Sequence, residues 1–170
     1  MYDVIIIGAG SAGMTAGIYA AKNKVKTLVI AKELSAGKMA DDDMAGVADK
    51  LKAGFLQCLK IKKEYLEFQE DEVLTLEKNV ISFSVETKSG QNFYAKSVII
   101  ASGETRAGFD LLTYKDITDR IKVDSSMRTN IPGIFAAGGV TALSTNDTFV
   151  NIGEGARALL SAMDFLKQPA

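Results

Sequence analysis

Residues 8–13 read Gly-Ala-Gly-Ser-Ala-Gly, and they stand between an apolar run of strand length, Tyr2 to Ile7, and a stretch rich in helix formers, Ala12 to Asn23. Three glycines at that spacing constrain the local fold more than any other feature of the chain. The first permits a tight turn, the second lets backbone approach a pyrophosphate, and the third lets the helix lie close against the strand. The helix N-terminus then offers free N–H groups and the positive end of its dipole to phosphate oxygens. Lys26 to Ile30 are β-prone again, which completes a strand, helix, strand unit. A central strand that is apolar on both sides argues for a parallel sheet with helices on both faces.

Composition removes several alternatives. The chain has 170 residues, enough for one ordinary domain with its own core, and a net charge of −1, so no chain-wide field draws it to nucleic acid or to an anionic membrane. No apolar run approaches membrane-spanning length, and the N-terminus has no basic stretch or cleavage site. The expectation is a soluble, cytoplasmic protein. Histidine is absent and cysteine occurs once, as Cys58. That excludes a Ser-His-Asp triad, a histidine base, histidine-ligated metals and an internal CxxC pair. Any redox or transfer chemistry must come from a cofactor.

Further along, Asp41 to Asp43 look like the polar entry to a helix, and Val47, Leu51, Phe55, Cys58 and Leu59 recur at the spacing of one buried face. Cys58 belongs to that stripe and reads as a small core residue rather than a reactive thiol. From Tyr65 to Ala95 short alternating runs, YLEFQ, EVLTLE, VISFSVET and NFYAK, suggest antiparallel hairpins forming a small meander. Lys96 to Ala101 return as a buried strand. A short strand at Ile121 to Val123, a turn at Pro132-Gly133, a strand at Ile134 to Ala136 and a helix from about Gly153 to Lys167 complete the expected elements.

The last third holds a second glycine constellation, PGIFAAGGV at 132–140 followed by NIGEGA at 151–156. Together with DVIIIGAGSAG near the N-terminus, SAGKM at Ser35 to Met39 and KSVIIASG at 96–103, it resembles the thioredoxin reductase-like flavoproteins, over nearly the whole chain. The resemblance implies an α/β, Rossmann-like FAD-binding domain with a central parallel sheet, helices on both faces and a small antiparallel β-meander. In that family an NADPH domain is inserted after the strand that ends here in Ala101-Ser102-Gly103. Gly103 is instead followed by ETRAGFDLL, similar to the family's rejoining segment. The chain therefore reads as a single FAD-binding domain, 1–170, whose N-terminal half 1–103 and C-terminal half 111–170 join where the NADPH domain and its CxxC would be.

The resemblance also assigns site residues. Gly8, Gly10, Ser11, Ala12 and Gly13 would hold the pyrophosphate; Ala31, Lys32 and Glu33 would lie by the adenosine ribose. Ala31 stands where an acid usually binds the ribose hydroxyls, and Lys32 leaves a 2′-phosphate, hence NADP, open beside the reading as a solvated surface lysine. Gly37, Lys38 and Met39 match the segment that passes the ribose and the flavin edge, and Val73 the backbone that meets the adenine. Ala101, Ser102 and Gly103 would line the passage beside the cofactor. Gly138, Gly139 and Val140 would meet the ribityl chain and phosphate, and Asn151, Ile152 and Gly153 would start a helix aimed at the isoalloxazine C2 carbonyl. Gly139 replaces a family aspartate that binds a ribityl hydroxyl, a loss of roughly 1 to 3 kcal/mol. Asn146-Asp147 replace an arginine-glutamine pair. No residue is a convincing catalytic acid, base or nucleophile. The function implied is electron transfer through non-covalent FAD with an external donor, in a homodimer or with a partner redox protein. Two other readings stay open: a non-catalytic nucleotide-binding or interaction module, and an NAD(P)-binding protein.

Overall fold

A computed structural model describes residues 1–34, 42–103, 120–145 and 147–168. The expected strand, helix, strand unit is β1 (Tyr2–Ile7), α1 (Ser11–Lys22) and β2 (Thr27–Ala31). After it come α2 (Asp42–Ile61), β3 (Leu66–Glu70), β4 (Val73–Lys78), β5 (Phe83–Thr87), β6 (Asn92–Ile100) and β7 (Ile134–Ala136). A 3₁₀ turn at Gly138–Val140 and a long helix, α3 (Thr148–Leu166), complete the elements.

The strands form one mixed sheet in the order β3-β2-β1-β6-β5-β4, with β7 also on β6. β3, β2, β1, β6 and β7 run parallel, whereas β4, β5 and the start of β6 form the antiparallel meander. β6 is long enough to serve both: Asn92 to Ala95 pair with β5 and Val98 to Ile100 pair with β7. The run YLEFQ belongs to the parallel part, where β3 pairs in register with β2, and not to the meander. Its alternating pattern reflects its place at the sheet edge, where one face is only partly covered.

Along the central strands the side-chain period of two divides the core. Val4, Ile6, Val29 and Ile99 point to one cluster, together with Met14, Ala16, Ala20, Phe55, Ala158, Leu159 and Ala162 from the three α-helices. Ile5, Ile7, Leu28, Ile30, Val98 and Ile100 point to the other, where Val73, Leu76, Phe83 and Val85 of the meander cover them. The α/β class stands, but among the described residues all three α-helices bring their buried residues to one face and the meander takes the place of helices on the second. Two hairpin strands with inward apolar residues cover a twisted sheet as effectively as a helix does.

The α2 stripe is as expected: Phe55 is fully buried, with Leu51, Cys58 and Leu59 packed beside it. Ile121 makes only an isolated bridge to Thr141, so the expected strand at 121–123 is a single paired residue. The larger departure is α3. It starts at Thr148, not near Gly153, because Asp147 caps it by accepting hydrogen bonds from the N–H groups of Phe149 and Val150 at 2.8 and 3.1 Å. Gly153, the expected start, and Gly155 both lie inside the helix.

Candidate dinucleotide site

The parallel strands β1, β6 and β7 end at the same edge of the sheet, and both glycine constellations follow from those ends. Ala101 N–H donates to Ile7 O at 2.7 Å and Ala137 N–H to Ile100 O at 2.9 Å, which brings Gly8, Ser102 and Gly138 side by side. Gly8 has φ +106, open to glycine, and a Cβ there would stand 2.2 Å from Ala101 O. A Cβ on Gly13 would stand 2.0 Å from Gly8 O, so α1 lies directly on the turn that precedes it. Gly10 is the N-cap of α1 and supplies no side-chain cap, and no acidic residue stands in the first turn. The positive dipole end of α1 faces the loop, the arrangement an anion site uses.

The C-terminal half closes over this loop from the other side. A Cβ on Gly155 would stand 2.1 Å from Ala12 O, and one on Gly138 would stand 3.1 Å from the Ala12 Cβ. Two segments more than a hundred residues apart in sequence therefore meet at Ala12. The Gly138–Val140 turn is tied back by Thr141 N–H to Gly138 O and by Ile121 N–H to Val140 O, both at 2.9 Å. Gly138 and Val140 are buried; Gly139 is half-buried.

At the far end of β2, Asp71 N–H donates to Ala31 O at 3.0 Å and Lys32 Nζ pairs with Glu72 at 2.8 Å. These two contacts tie the end of β2, at Ala31 and Lys32, to the Asp71-Glu72 turn that leads into β4 and Val73. Lys32 is mostly exposed and has a carboxylate partner, and that ion pair holds Glu72 below the usual glutamate range. Gly37, Lys38 and Met39 lie outside the described residues, as does Asn146. Ser102 and Gly103 follow β6 at the same edge, Gly103 with φ +68 and none of the described residues within 4 Å of where its Cβ would stand. Asn151 and Ile152 are half-buried and Gly153 is exposed, all within the first two turns of α3, with Asn151 N–H already bonded to Asp147 O at 2.9 Å. Their backbone N–H groups lie within the helix, which leaves only the Asn151 and Ile152 side chains to reach a ligand there.

One residue that sequence reasoning passed over stands at the centre. The Glu154 carboxylate is buried and accepts the Gly138 N–H at 2.6 Å. Burial pushes this carboxyl above the usual glutamate range, and the Gly138 N–H pulls it back by less. Its signal in the sequence was register: Glu154, Ala158, Leu159 and Ala162 recur on one helix face, so the acid falls on the buried stripe. Beside it the Asn151 amide oxygen is shut off from solvent and has no hydrogen-bond partner among the described residues. An orphaned buried acceptor next to a glycine turn, facing an uncapped helix N-terminus, fits a ligand that brings both phosphates and hydroxyl donors. A separate cavity of about 280 Å³, lined in part by Arg128, Asn130 and Phe165, lies at the opposite end of β7.

Residues 2–115 and 62–159 match the family described as pyridine nucleotide-disulphide oxidoreductase. The chain belongs to that family. Among its curated relatives, the thioredoxin reductase of Aquifex aeolicus is 38% identical over 112 residues, 61% of this chain and 34% of that protein. The Listeria monocytogenes thioredoxin reductase is 29% identical over 160 residues, 84% of this chain and 48% of the relative. The chain thus spans a third to a half of the length of these relatives. Among solved structures, Lactococcus lactis thioredoxin reductase superposes with a TM-score of 0.81 at 17% identity, covering 98% of this chain and 99% of the other. The thioredoxin reductase of T. acidophilum superposes with a TM-score of 0.77 at 17% identity, covering 96% of this chain and 98% of the other. Fold and family are thioredoxin reductase-like, and family membership implies a flavin cofactor.

Proposed function

We propose that this chain is a flavoprotein that binds FAD non-covalently in an extended pose and passes electrons between it and a donor or acceptor outside residues 1–170. The observation that carries the reading is the meeting of both glycine constellations at Ala12. A dehydrogenase-type NAD(P) site needs only the first of them, so the second would have no role there. The alignment also runs from end to end of the Lactococcus reductase, while the chain spans a third to a half of the curated relatives' length. That combination supports one domain built from 1–103 and 111–170, joined where the longer relatives carry an inserted block.

In this reading the first N–H groups of α1, at Ser11 and Ala12, hold the pyrophosphate against the helix dipole. Gly8 and Gly13 let the backbone come close enough. Ala31, Lys32, Glu33 and the Val73 backbone border the adenosine end, and Gly139 and Val140 border the other. When bound, the flavin supplies the capacity to take up and release electrons; the chain positions it and shields one side from water. Leu143, Phe149 and Val150 are exposed beside the 3₁₀ turn and the start of α3, at 52%, 57% and 40%. Apolar surface at that place supports a second copy or a partner redox protein covering the site.

The deciding experiment is the absorption spectrum of the purified protein, before and after heat release of the ligand. A flavin spectrum with FAD in the supernatant supports the reading. Colourless protein that takes up no added FAD overturns it in favour of a non-catalytic module. Reduction by NADPH alone is expected to be slow, and rapid stoichiometric reduction would refute the reading that residues 1–170 leave out the NADPH domain.

A further inference from the structure

The sheet edge opposite the glycine turns carries a concentration of charge that the chain's net charge of −1 hides. α1 and α2 both run back from the turn edge, so their C-termini come down where β1, β2 and β3 begin. Thr27 N–H donates to Tyr65 O and Tyr65 N–H to Lys62 O, both at 2.8 Å, while Asp3 N–H donates to Lys26 O at 2.8 Å. Lys22, Lys24 and Lys26, around the end of α1, are thereby brought beside Lys60, Lys62 and Lys63, around the end of α2, and all six are exposed. Lys22 and Lys60 complement the helix dipoles from the last turns. The other four lie beyond the helix ends, where that reason does not apply.

None of the six lysines has an ion pair among the described residues. Lys22 and Lys26 stand over the rings of Tyr19 and Tyr2, at 5.4 and 5.5 Å from the centroids. The acids described at this edge are fewer. Asp3 is matched by Lys96 at 2.8 Å, Glu67 accepts the Tyr2 hydroxyl at 2.8 Å, and Glu64 follows Lys63 on the way to β3. Six lysines against Glu64 and Glu67 leave a local excess of four positive charges among the described residues. β1 to β3 span about 10 Å, comparable to the screening length of about 8 to 10 Å, so these charges act together. Among them Ile61 is 65% exposed.

Ammonium groups on flexible stems around an aliphatic side chain match the boundary between anionic headgroups and acyl chains. The fit to a protein partner is poorer, because lysine is depleted from protein–protein interfaces. β1, 6 residues long, sets this edge about 20 Å from the glycine turns, so an occupant here leaves the turns open. We propose that the basic edge formed by the ends of α1 and α2 holds the protein reversibly against an anionic lipid surface. Contact is peripheral: no helix among the described residues is long and apolar enough to cross a membrane. The proposal does not depend on which dinucleotide the other edge binds.

The test is sedimentation of the purified full chain with phosphatidylcholine vesicles, with and without phosphatidylserine. The proteins are wild type, Lys60→Gln/Lys62→Gln, Ile61→Ser, and Lys88→Gln/Lys122→Gln as a control that removes the same charge elsewhere. Wild type is expected to bind only the vesicles that contain phosphatidylserine, and more weakly as salt is raised. Each lysine is worth about fivefold in affinity, so the Lys60/Lys62 variant should bind about 25-fold more weakly and the control within about twofold of wild type. Ile61→Ser should weaken binding at least about threefold. Thermal unfolding confirms that each variant is folded. No binding by wild type, equal binding to both kinds of vesicle, or equal losses in the Lys60/Lys62 variant and the control overturns the proposal. Unchanged lipid binding by Ile61→Ser together with equally tight binding of wild type to polyglutamate also overturns it, in favour of an acidic protein partner.

Discussion

Substituting Gly155→Ala tests the joint on which the site depends. The new Cβ would stand 2.1 Å from Ala12 O and 2.8 Å from Ala12 C and Cα, all backbone atoms of α1. Carbon and oxygen atoms settle at about 3.5 Å, so the two helices must part by roughly 1 Å or more. Overpacking of this kind costs about 1 to 3 kcal/mol, at the upper end where the obstacle is backbone that has no rotamer to change. Against it stands the helix preference of alanine over glycine, about 1 kcal/mol. The net expectation is a loss of about 2 kcal/mol, or some 4 to 8 °C in Tm for a domain of this size. Gly153→Ala, two residues earlier on α3, meets nothing within 4 Å and should gain close to the full propensity term. Urea unfolding of both variants measures the contrast in midpoint at constant slope. If Gly155→Ala is as stable as Gly153→Ala, the close approach of α3 to α1 is wrong, and the union of the two terminal segments with it.

Three further outcomes are expected. Asp147→Ala removes the acceptor for two N–H groups at the start of α3 and should destabilise by about 1 kcal/mol, with Asp147→Ser recovering most of it in urea unfolding. Glu154 is held above its usual range, so its folded state favours the protonated form. Its contribution is present below the unfolded value of about 4.5 and is lost as pH rises through the folded one. The midpoint difference between Glu154→Gln and wild type should therefore grow in the glutamine's favour from pH 4.5 towards 7, and a difference independent of pH would refute that assignment. Gly133→Ala adds a Cβ at φ +91 that stands 2.8 Å from the Phe83 ring, and should lower Tm by several degrees.

Much of the fold was legible because hydrophobic period and glycine spacing are local. The run Tyr2 to Ile7, the glycines at 8, 10 and 13 and the stripe through Phe55 each announce an element from within a dozen residues. The start of α3 was misread for an equally local reason. Gly153 and Gly155 look like a helix entry, while the true cap is an aspartate whose role shows only once its carboxylate is seen on the Phe149 and Val150 N–H groups. Glu154 was missed because an acid between two glycines looks like surface.

By itself, the order of residues along the chain determined a nucleotide-type turn between β1 and α1, a second glycine motif near the C-terminus and chemistry that cannot come from histidine or a cysteine pair. Those are statements about which groups exist and how the adjacent backbone can bend. Which groups face one another depended on packing: Gly155 against Ala12, Glu154 on Gly138 N–H, and, among the described residues, three α-helices on one face with the meander on the other. Such contacts arise when segments far apart in sequence bury apolar surface together, and no local pattern encodes the distance between them.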